Sequence, residues 1–336
     1  MEKWKCQLIR KKFHYSMRRV DVETGFRIKN SHIPQALYKY RTFDTKHTDA
    51  LAKGELWWVA PELFNDPYDS FATFDTDRFL VEDMSIDEAL TQVEALKQAS
   101  EAEESFVPKK IDRPIQHRAW VDKIHTELFN DERLEVRNAL LRSISAFREQ
   151  MNEEMVRSLS RQSREGLSVL SLCENPTSAL MWSHYSDNHK GFCIAYDFSA
   201  LSPKDLRRRL CFPVFYRKKL VDITRYMARG DLQDFNNYFG TYLCLLKSNE
   251  WKYEREWRIV YPLGPSEATR PLEMPKPSAI ILGAHVEPAN QAWMTSFCAE
   301  REIALRQVIQ RHDQFRFEIG EVGEVRPEPF VGSKRS

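Results

Sequence analysis

The chain has 336 residues, 42% of them apolar and 29% charged, with a formal net charge of +1. That is enough apolar material for one large or two ordinary globular domains, and the near-neutral balance excludes a global pull towards nucleic acid or an anionic membrane. No apolar run approaches the roughly 20 residues that span a bilayer. The six cysteines (Cys6, Cys173, Cys193, Cys211, Cys244 and Cys298) contain no CxxC pair, and no signal-peptide pattern precedes them. They read as buried free thiols of a cytoplasmic protein.

Residues 1–33 are basic and interleaved with Trp4, Phe13 and Tyr15, and are expected to form an irregular N-terminal extension or, alternatively, a nucleic-acid arm. The main domain is expected over 34–320. Ala36–Arg41 is a short strand with Lys39 and Arg41 on one face and Tyr38 and Tyr40 on the other. Asp44 and Gly54 bracket a helix as N-cap and C-terminal stop. Leu56–Val59 is a second strand, and the turn-rich loop after it holds Asn65 and Asp66, either as turn-forming residues or as part of a site. The capping box Ser85-Ile86-Asp87-Glu88 and apolar steps of three and four imply a helical insertion at about 77–166.

Strands are expected again at 167–173 and 191–197, on either side of a helix at 177–186. A strand at 212–216 and a helix over 220–248 follow. The stretch Trp251–Pro262 alternates like a strand, so Glu254, Glu256 and Arg258 share one face and Trp257, Ile259 and Tyr261 the other. Two adjacent carboxylates and a guanidinium on one strand face form either a solvated edge or a carboxylate site completed from elsewhere. A strand at 279–283, a helix at 288–301, strands near 305–310 and 315–319 and a polar tail at 321–336 complete an α+β arrangement with no repeating βαβ unit.

The segment 181–191 is the densest in chemical side chains, with Trp182, His184, Tyr185, Asn188 and His189. His184 and His189 fall about 140° apart around a helix, a poor chelate. With no HExxH, CxxC or compact carboxylate cluster, no metal site is expected. GxSxG, Walker and dinucleotide GxGxxG patterns are absent too. The basic run Arg207, Arg208, Arg209, continued by Arg217, Lys218 and Lys219, is the best candidate for phosphate contacts and equally an ordinary charged surface.

Leu37–Arg41, Phe64–Asp69, Met181–Tyr185, Gly191-Phe192 and Tyr253–Arg258, in that order, resemble the bacterial domain-of-unknown-function family 2971 over roughly Ala36 to Gly283. The order of a Tyr/Arg strand, helix, Gly-Glu-Leu strand, glycine-led strand and Glu-x-Glu strand ending in Pro262 is also similar to ADP-ribosyltransferases. That second resemblance implies a mixed or antiparallel sheet core of that fold, and NAD as substrate without a metal. By it, Glu256 and Glu254 would be catalytic, aided by His184 and Tyr185. Arg41, Lys39, Tyr40, Asn65, Asp66, Trp182 and Arg258 would hold the dinucleotide, with the strands of Arg41 and Glu256 adjacent. No Ser-Thr-Ser occurs; only Ser171 or the His184-Tyr185 pair stands in its place. The expected activity is cleavage of the nicotinamide–ribose bond by a toxin or antiviral defence effector acting on a nucleic-acid or protein acceptor. The alternatives are a nuclease using His184 and Glu254, and a non-catalytic nucleic-acid or protein binding module.

Overall fold

The computed structural model describes residues 1–73, 167–227, 236–261, 271–311 and 313–323. The expected helical insertion at 77–166 and the tail from residue 324 fall outside them. Residues 1–33 differ from the irregular extension expected: they form α1 (Lys3–Lys12), a single 3₁₀ turn and α2 (Val22–Asn30). Asp21 starts α2 by accepting from the Thr24 amide at 3.0 Å. The apolar minority of this stretch ties it down. Leu8 and Phe13 are buried, Phe13 meets Phe212 and Phe215 edge-on, and Trp4 stacks on Trp257. Lysine stems contribute as well. Lys12 and Lys29 are fully buried. The Lys29 ammonium donates to the Arg208 carbonyl at 2.5 Å, while that of Lys12 has no hydrogen-bond partner. It lies 3.5 Å from the ring centre of Tyr238 and 4.1 Å from that of Phe26.

The remaining elements run β1 (Ala36–Arg41), α3 (Thr45–Ala52), β2 (Glu55–Trp57), β3 (Ala72–Thr73), β4 (Ser168–Cys173), α4 (Ala179–Tyr185), β5 (Phe192–Asp197), β6 (Cys211–Pro213), β7 (Phe215–Arg217), β8 (Val221–Asp222), β9 (Leu246–Ser248), β10 (Glu256–Tyr261), β11 (Pro271–Glu273), β12 (Ala279–Leu282), α5 (Pro288–Glu300), β13 (Ala304–Gln310) and β14 (Phe317–Gly320). Eight strands make one mixed sheet in the order β14-β13-β12-β5-β1-β4-β10-β6. Only β12 and β13 are parallel neighbours within it, and α5 is the crossover that this pairing needs. The protein is therefore a mixed α+β fold, as expected.

Period-two alternation distributes the core. Leu37, Leu170, Leu172, Phe192, Ile194, Trp257, Ile259, Ile280 and Leu282 face one large apolar cluster with α5. On the opposite face Tyr40, Cys173, Trp182, Cys193 and Ile281 make a second cluster. Val169, Phe212 and Val260 join a third, with Phe13 and Tyr242.

One irregularity in the sheet sets up everything that follows. β1 pairs with β5 over six residues, yet meets β4 at one register pair, Tyr38 with Cys173. At its other end the same edge of β4 is taken by Val59, which exchanges both backbone hydrogen bonds with Val169. Between those two ties the sheet is split.

Three expected elements differ. The stretch from 251 is not continuous strand: Asn249–Glu254 is a 3₁₀ helix, Arg255 adopts a left-handed conformation (φ 48°, ψ 50°), and the strand starts at Glu256. The single strand expected at 212–216 is two, because Val214 separates β6, in the main sheet, from β7, which pairs with β9. Within 220–248 the described residues form β8, short helical turns at Thr224–Met227 and Phe239–Leu243, and β9, in place of one long helix.

Candidate active site

The split between β1 and β4 opens a cavity of about 510 Å³. Tyr38–Arg41 line one wall, Ser171–Cys173 another, and Val59, Leu63, Phe64 and Asn65 close it on the side of the turn-rich loop. Glu254, Glu256, Arg258, Lys247 and Asp69 lie at one end, and His184 and Tyr185 from α4 at the rim. Because the sheet is split, side chains from its two faces reach the same space. Lys39 and Arg41 share their face with Leu37, Glu256 and Arg258 share theirs with Cys173, and all four side chains line the cavity. The strands of Arg41 and Glu256, expected to be adjacent, are not: β4 lies between them.

The anionic end is a closed network. Arg258, 1% exposed, donates Nε to Glu256 at 2.8 Å, both Nη atoms to Asp69 at 2.7 and 2.6 Å, and further bonds to Glu256 Oε2 and the Cys244 carbonyl. Lys247, on β9, donates to Glu254 at 2.5 Å and Glu256 at 3.1 Å, with Asp69 at 3.7 Å. Burial disfavours the charged forms of Lys247 and Arg258, but the surrounding carboxylates reverse this and raise both above their ordinary values.

The two glutamates are pushed apart. Burial works against the Glu256 carboxylate, but Arg258, Lys247 and a hydrogen bond from Ser171 hold it well below the usual carboxylate range. Glu254 also receives Lys247, and the Tyr185 hydroxyl donates to its Oε1 at 2.7 Å. Here burial and the neighbouring Glu256 charge prevail, and its carboxyl is raised. Carboxyl groups separated in this way are the usual mark of an acid or base beside a fixed anion.

The cationic end is less satisfied. Lys39 donates to the Ser171 carbonyl at 2.7 Å. Burial and then Arg41 lower it to about 7, against the pull of Glu256 and Glu254. Burial lowers Arg41 to about 10, with Tyr196 and Asp44 opposing. Among the described residues no ion pair or side-chain hydrogen bond engages the Arg41 guanidinium. His47, capped against Asp44 at 2.6 Å, lines the same end. Two cations drained of their solvation and short of carboxylates are suited to receive an anion.

Arg41 is placed by a close backbone contact. Gly191 lies against its carbonyl, where an added Cβ would stand 2.1 Å from the oxygen and 2.8 Å from Ser186 Cβ. The left-handed residues Asp187, Asn188 and His189 turn the chain from α4 into that position.

Of the site residues expected from sequence, Lys39, Tyr40, Arg41, Asn65, His184, Tyr185, Glu254, Glu256 and Arg258 line the cavity. Asp66 and Trp182 do not. Asp66 is buried and accepts from the Tyr68 amide, which is turn chemistry. Trp182 is fully buried, donating to the Pro176 carbonyl and meeting Tyr40 edge-on. The Tyr40 hydroxyl donates to the Asn175 carbonyl, so this ring supports the wall and is not free to stack on a ligand. Arg258 is saturated by protein acceptors and positions carboxylates, which removes it from direct binding of a dinucleotide. The sequence reading missed Lys247 and Asp69, although a lysine inside Leu-Cys-Leu-Leu-Lys-Ser is a signal that a buried charge has a task.

Among the described residues no group of three or more His, Cys, Asp or Glu is placed to hold a metal ion, and no helix is long and apolar enough to cross a membrane. All six cysteines are free, five of them buried. No curated protein and no solved structure matches this chain. Residues 181–259, which include Met181–Tyr185, the Gly191 turn and the Glu254–Arg258 network, match the family described as Protein of unknown function (DUF2971).

Proposed function

We propose that the cavity binds NAD as a substrate and that the protein is an ADP-ribosyltransferase-like enzyme cleaving the nicotinamide–ribose bond. The observation that carries this reading is the convergence of the Arg41 guanidinium and the Glu254/Glu256 carboxylates, some two hundred residues apart in sequence, on one cavity of about 510 Å³. That volume lies within the range of small-molecule and cofactor sites, and the mixture of apolar wall and few charged groups is typical of them.

The chemistry divides between the two ends. Arg41 and Lys39 hold the pyrophosphate, whose charge restores what burial takes from both cations. As the bond between C1′ of the ribose and the nicotinamide nitrogen breaks, positive charge develops on the ribose ring. The preorganised anionic end stabilises it, as carboxylates do in glycoside cleavage. The bonding pattern reassigns the two glutamates. Glu256, saturated by Arg258, Lys247 and Ser171, is the fixed anion and orients its neighbours. Glu254, raised and with lone pairs to spare, takes the proton from the attacking hydroxyl or water. In a toxin or defence effector the same step would modify a cellular acceptor or deplete NAD.

Nicotinamide release from NAD by purified protein, measured by chromatography, tests the reading. Glu254→Gln is expected to lower kcat by about 100-fold or more. Arg41→Ala should act mainly through KM, because it removes ground-state binding. Wild-type protein that neither binds NAD nor releases nicotinamide, or a Glu254→Gln variant with wild-type turnover, would overturn it.

A further inference from the structure

On the far side of Lys247 lies a second concavity of about 230 Å³, walled by Tyr68, Phe71, Arg217, Lys218, Lys219 and the β8–β9 backbone. β7 and β9 pair in parallel through Arg217 and Ser248, and β3 and β8 through Ala72 and Val221. Two short parallel ribbons thus form its sides. Among the described residues no acidic side chain lines it. Among the described residues no carboxylate lies within ion-pair distance of Arg217, Lys218 or Lys219. The Arg217 Nε is buried without a hydrogen-bond partner.

The other basic run behaves differently. Arg207 is held by Asp205 at 2.6 Å and by the Glu273 carbonyl, and Arg208 by the Leu201 carbonyl. Their charge is largely used inside the protein, whereas that of the 217–219 run is not. Beside this run stands Tyr68, 62% exposed and meeting Phe71 edge-on at 6.4 Å.

From this juxtaposition we propose that the second concavity is a binding groove for single-stranded nucleic acid. Arg217, Lys218 and Lys219 contact successive phosphates, and an unpaired base stacks on Tyr68. A row of uncompensated cations beside an exposed aromatic face is what strand-tracking grooves use, because phosphates supply affinity and every base offers a π-face. A duplex has its bases already stacked and so offers none to Tyr68. The inference goes beyond the proposed NAD chemistry and does not depend on it. It gives the shared wall, Lys247, a strand on one side and the reaction cavity on the other.

Fluorescence anisotropy with a labelled 12-nucleotide RNA, in the absence of NAD, separates the two ideas, since binding is read without turnover. The wild-type protein is expected to bind with an affinity that falls steeply with salt. The double variant Lys218→Glu/Lys219→Glu should weaken binding at least tenfold and flatten the slope of log K against log salt by about 1.4, the loss of two single-strand phosphate contacts. Tyr68→Ala should weaken binding about tenfold with the salt slope unchanged. Arg209→Glu, on the other basic run, should leave binding intact. All three sets of positions are at the surface, and circular dichroism verifies folding. The proposal is overturned by absence of binding at 50 mM salt, by duplex RNA competing as well as single strand, by the double variant binding like wild type, or by Arg209→Glu weakening binding equally.

Discussion

Replacing Lys247 by methionine keeps the side-chain stem and removes the cation around which the anionic end is assembled. Its ammonium stands 2.5 Å from Glu254, 3.1 Å from Glu256 and 3.7 Å from Asp69, and every one of these side chains is at most 5% exposed. Without it Glu256 and Asp69 keep Arg258, while Glu254 keeps the Tyr185 hydroxyl and no ion pair among the described residues. Deleting one partner of a buried ion pair costs about 3–5 kcal/mol, so the variant is expected to lose about 4 kcal/mol at pH 8.

Glu254 offers a partial release. Its carboxyl is already raised above the ordinary 4.5 by burial and by Glu256, and loss of the lysine raises it further. As pH falls from 8 to 5.5 the folded variant takes up a proton that the unfolded chain, near 4.5, does not yet bind. Folding then gains stability on acidification, and the penalty should shrink to about 2 kcal/mol or less at pH 5.5. Urea unfolding of both proteins at the two pH values measures this. Adding Glu254→Gln to Lys247→Met should recover at least half of the loss at pH 8, because it removes one excess anion. An equal penalty at both pH values, or a double variant no more stable than the single, would refute the reasoning.

Two further outcomes follow from the packing. Lys12→Met should stabilise the fold by about 3 kcal/mol below pH 7, the desolvation penalty on the ammonium less the attraction of the surrounding rings. Burial, followed by Lys29 and Arg209, lowers Lys12 from 10.5 to about 7. Below 7 both states are protonated and the folded chain carries the full cost. Between 7 and 10.5 only the unfolded chain keeps the proton, so wild-type stability rises with pH and the advantage of methionine fades; melts at pH 6 and pH 10 test it. Gly191→Ala drives a Cβ into the Arg41 carbonyl. It should cost about 3 kcal/mol in urea unfolding and weaken ligand binding at Arg41, since backbone cannot yield as a side chain would.

The strands that frame the site were readable because β1, β4 and β5 are six-residue stretches rich in apolar, aromatic or β-branched residues and bounded by turn formers. The same rule misread residues 251–255, where Trp-Lys-Tyr-Glu-Arg alternates like a strand yet forms a helical turn. Neither glycine nor asparagine marks the left-handed position at Arg255, so local propensity gave no warning. The N-terminal helices were hidden for another reason. Their core contacts come from Trp4, Leu8, Phe13 and the stems of Lys12 and Lys29, and composition counts the last two as solvent-facing. Glu254 and Glu256 could be named as candidates because two carboxylates beside a guanidinium on one strand face are unusual, and Arg41 through the resemblance in motif order to ADP-ribosyltransferases. The pairing of the two glutamates with Lys247, and of Arg258 with Asp69, depends on tertiary approach, which sequence periodicity does not encode. The split between β1 and β4 was equally invisible, since it arises from where Val59 joins the sheet.

The bend at Arg255 has a consequence for how this site tolerates change. Its side chain is exposed and makes one long approach, 4.0 Å, to Glu174, whereas its backbone holds the hinge between the glutamate on the helical turn and the glutamate on the strand. Position 255 is therefore constrained in torsion and nearly free in chemistry. Glycine or asparagine should serve there as well as arginine, and valine or isoleucine should swing one carboxylate away from the other without touching either.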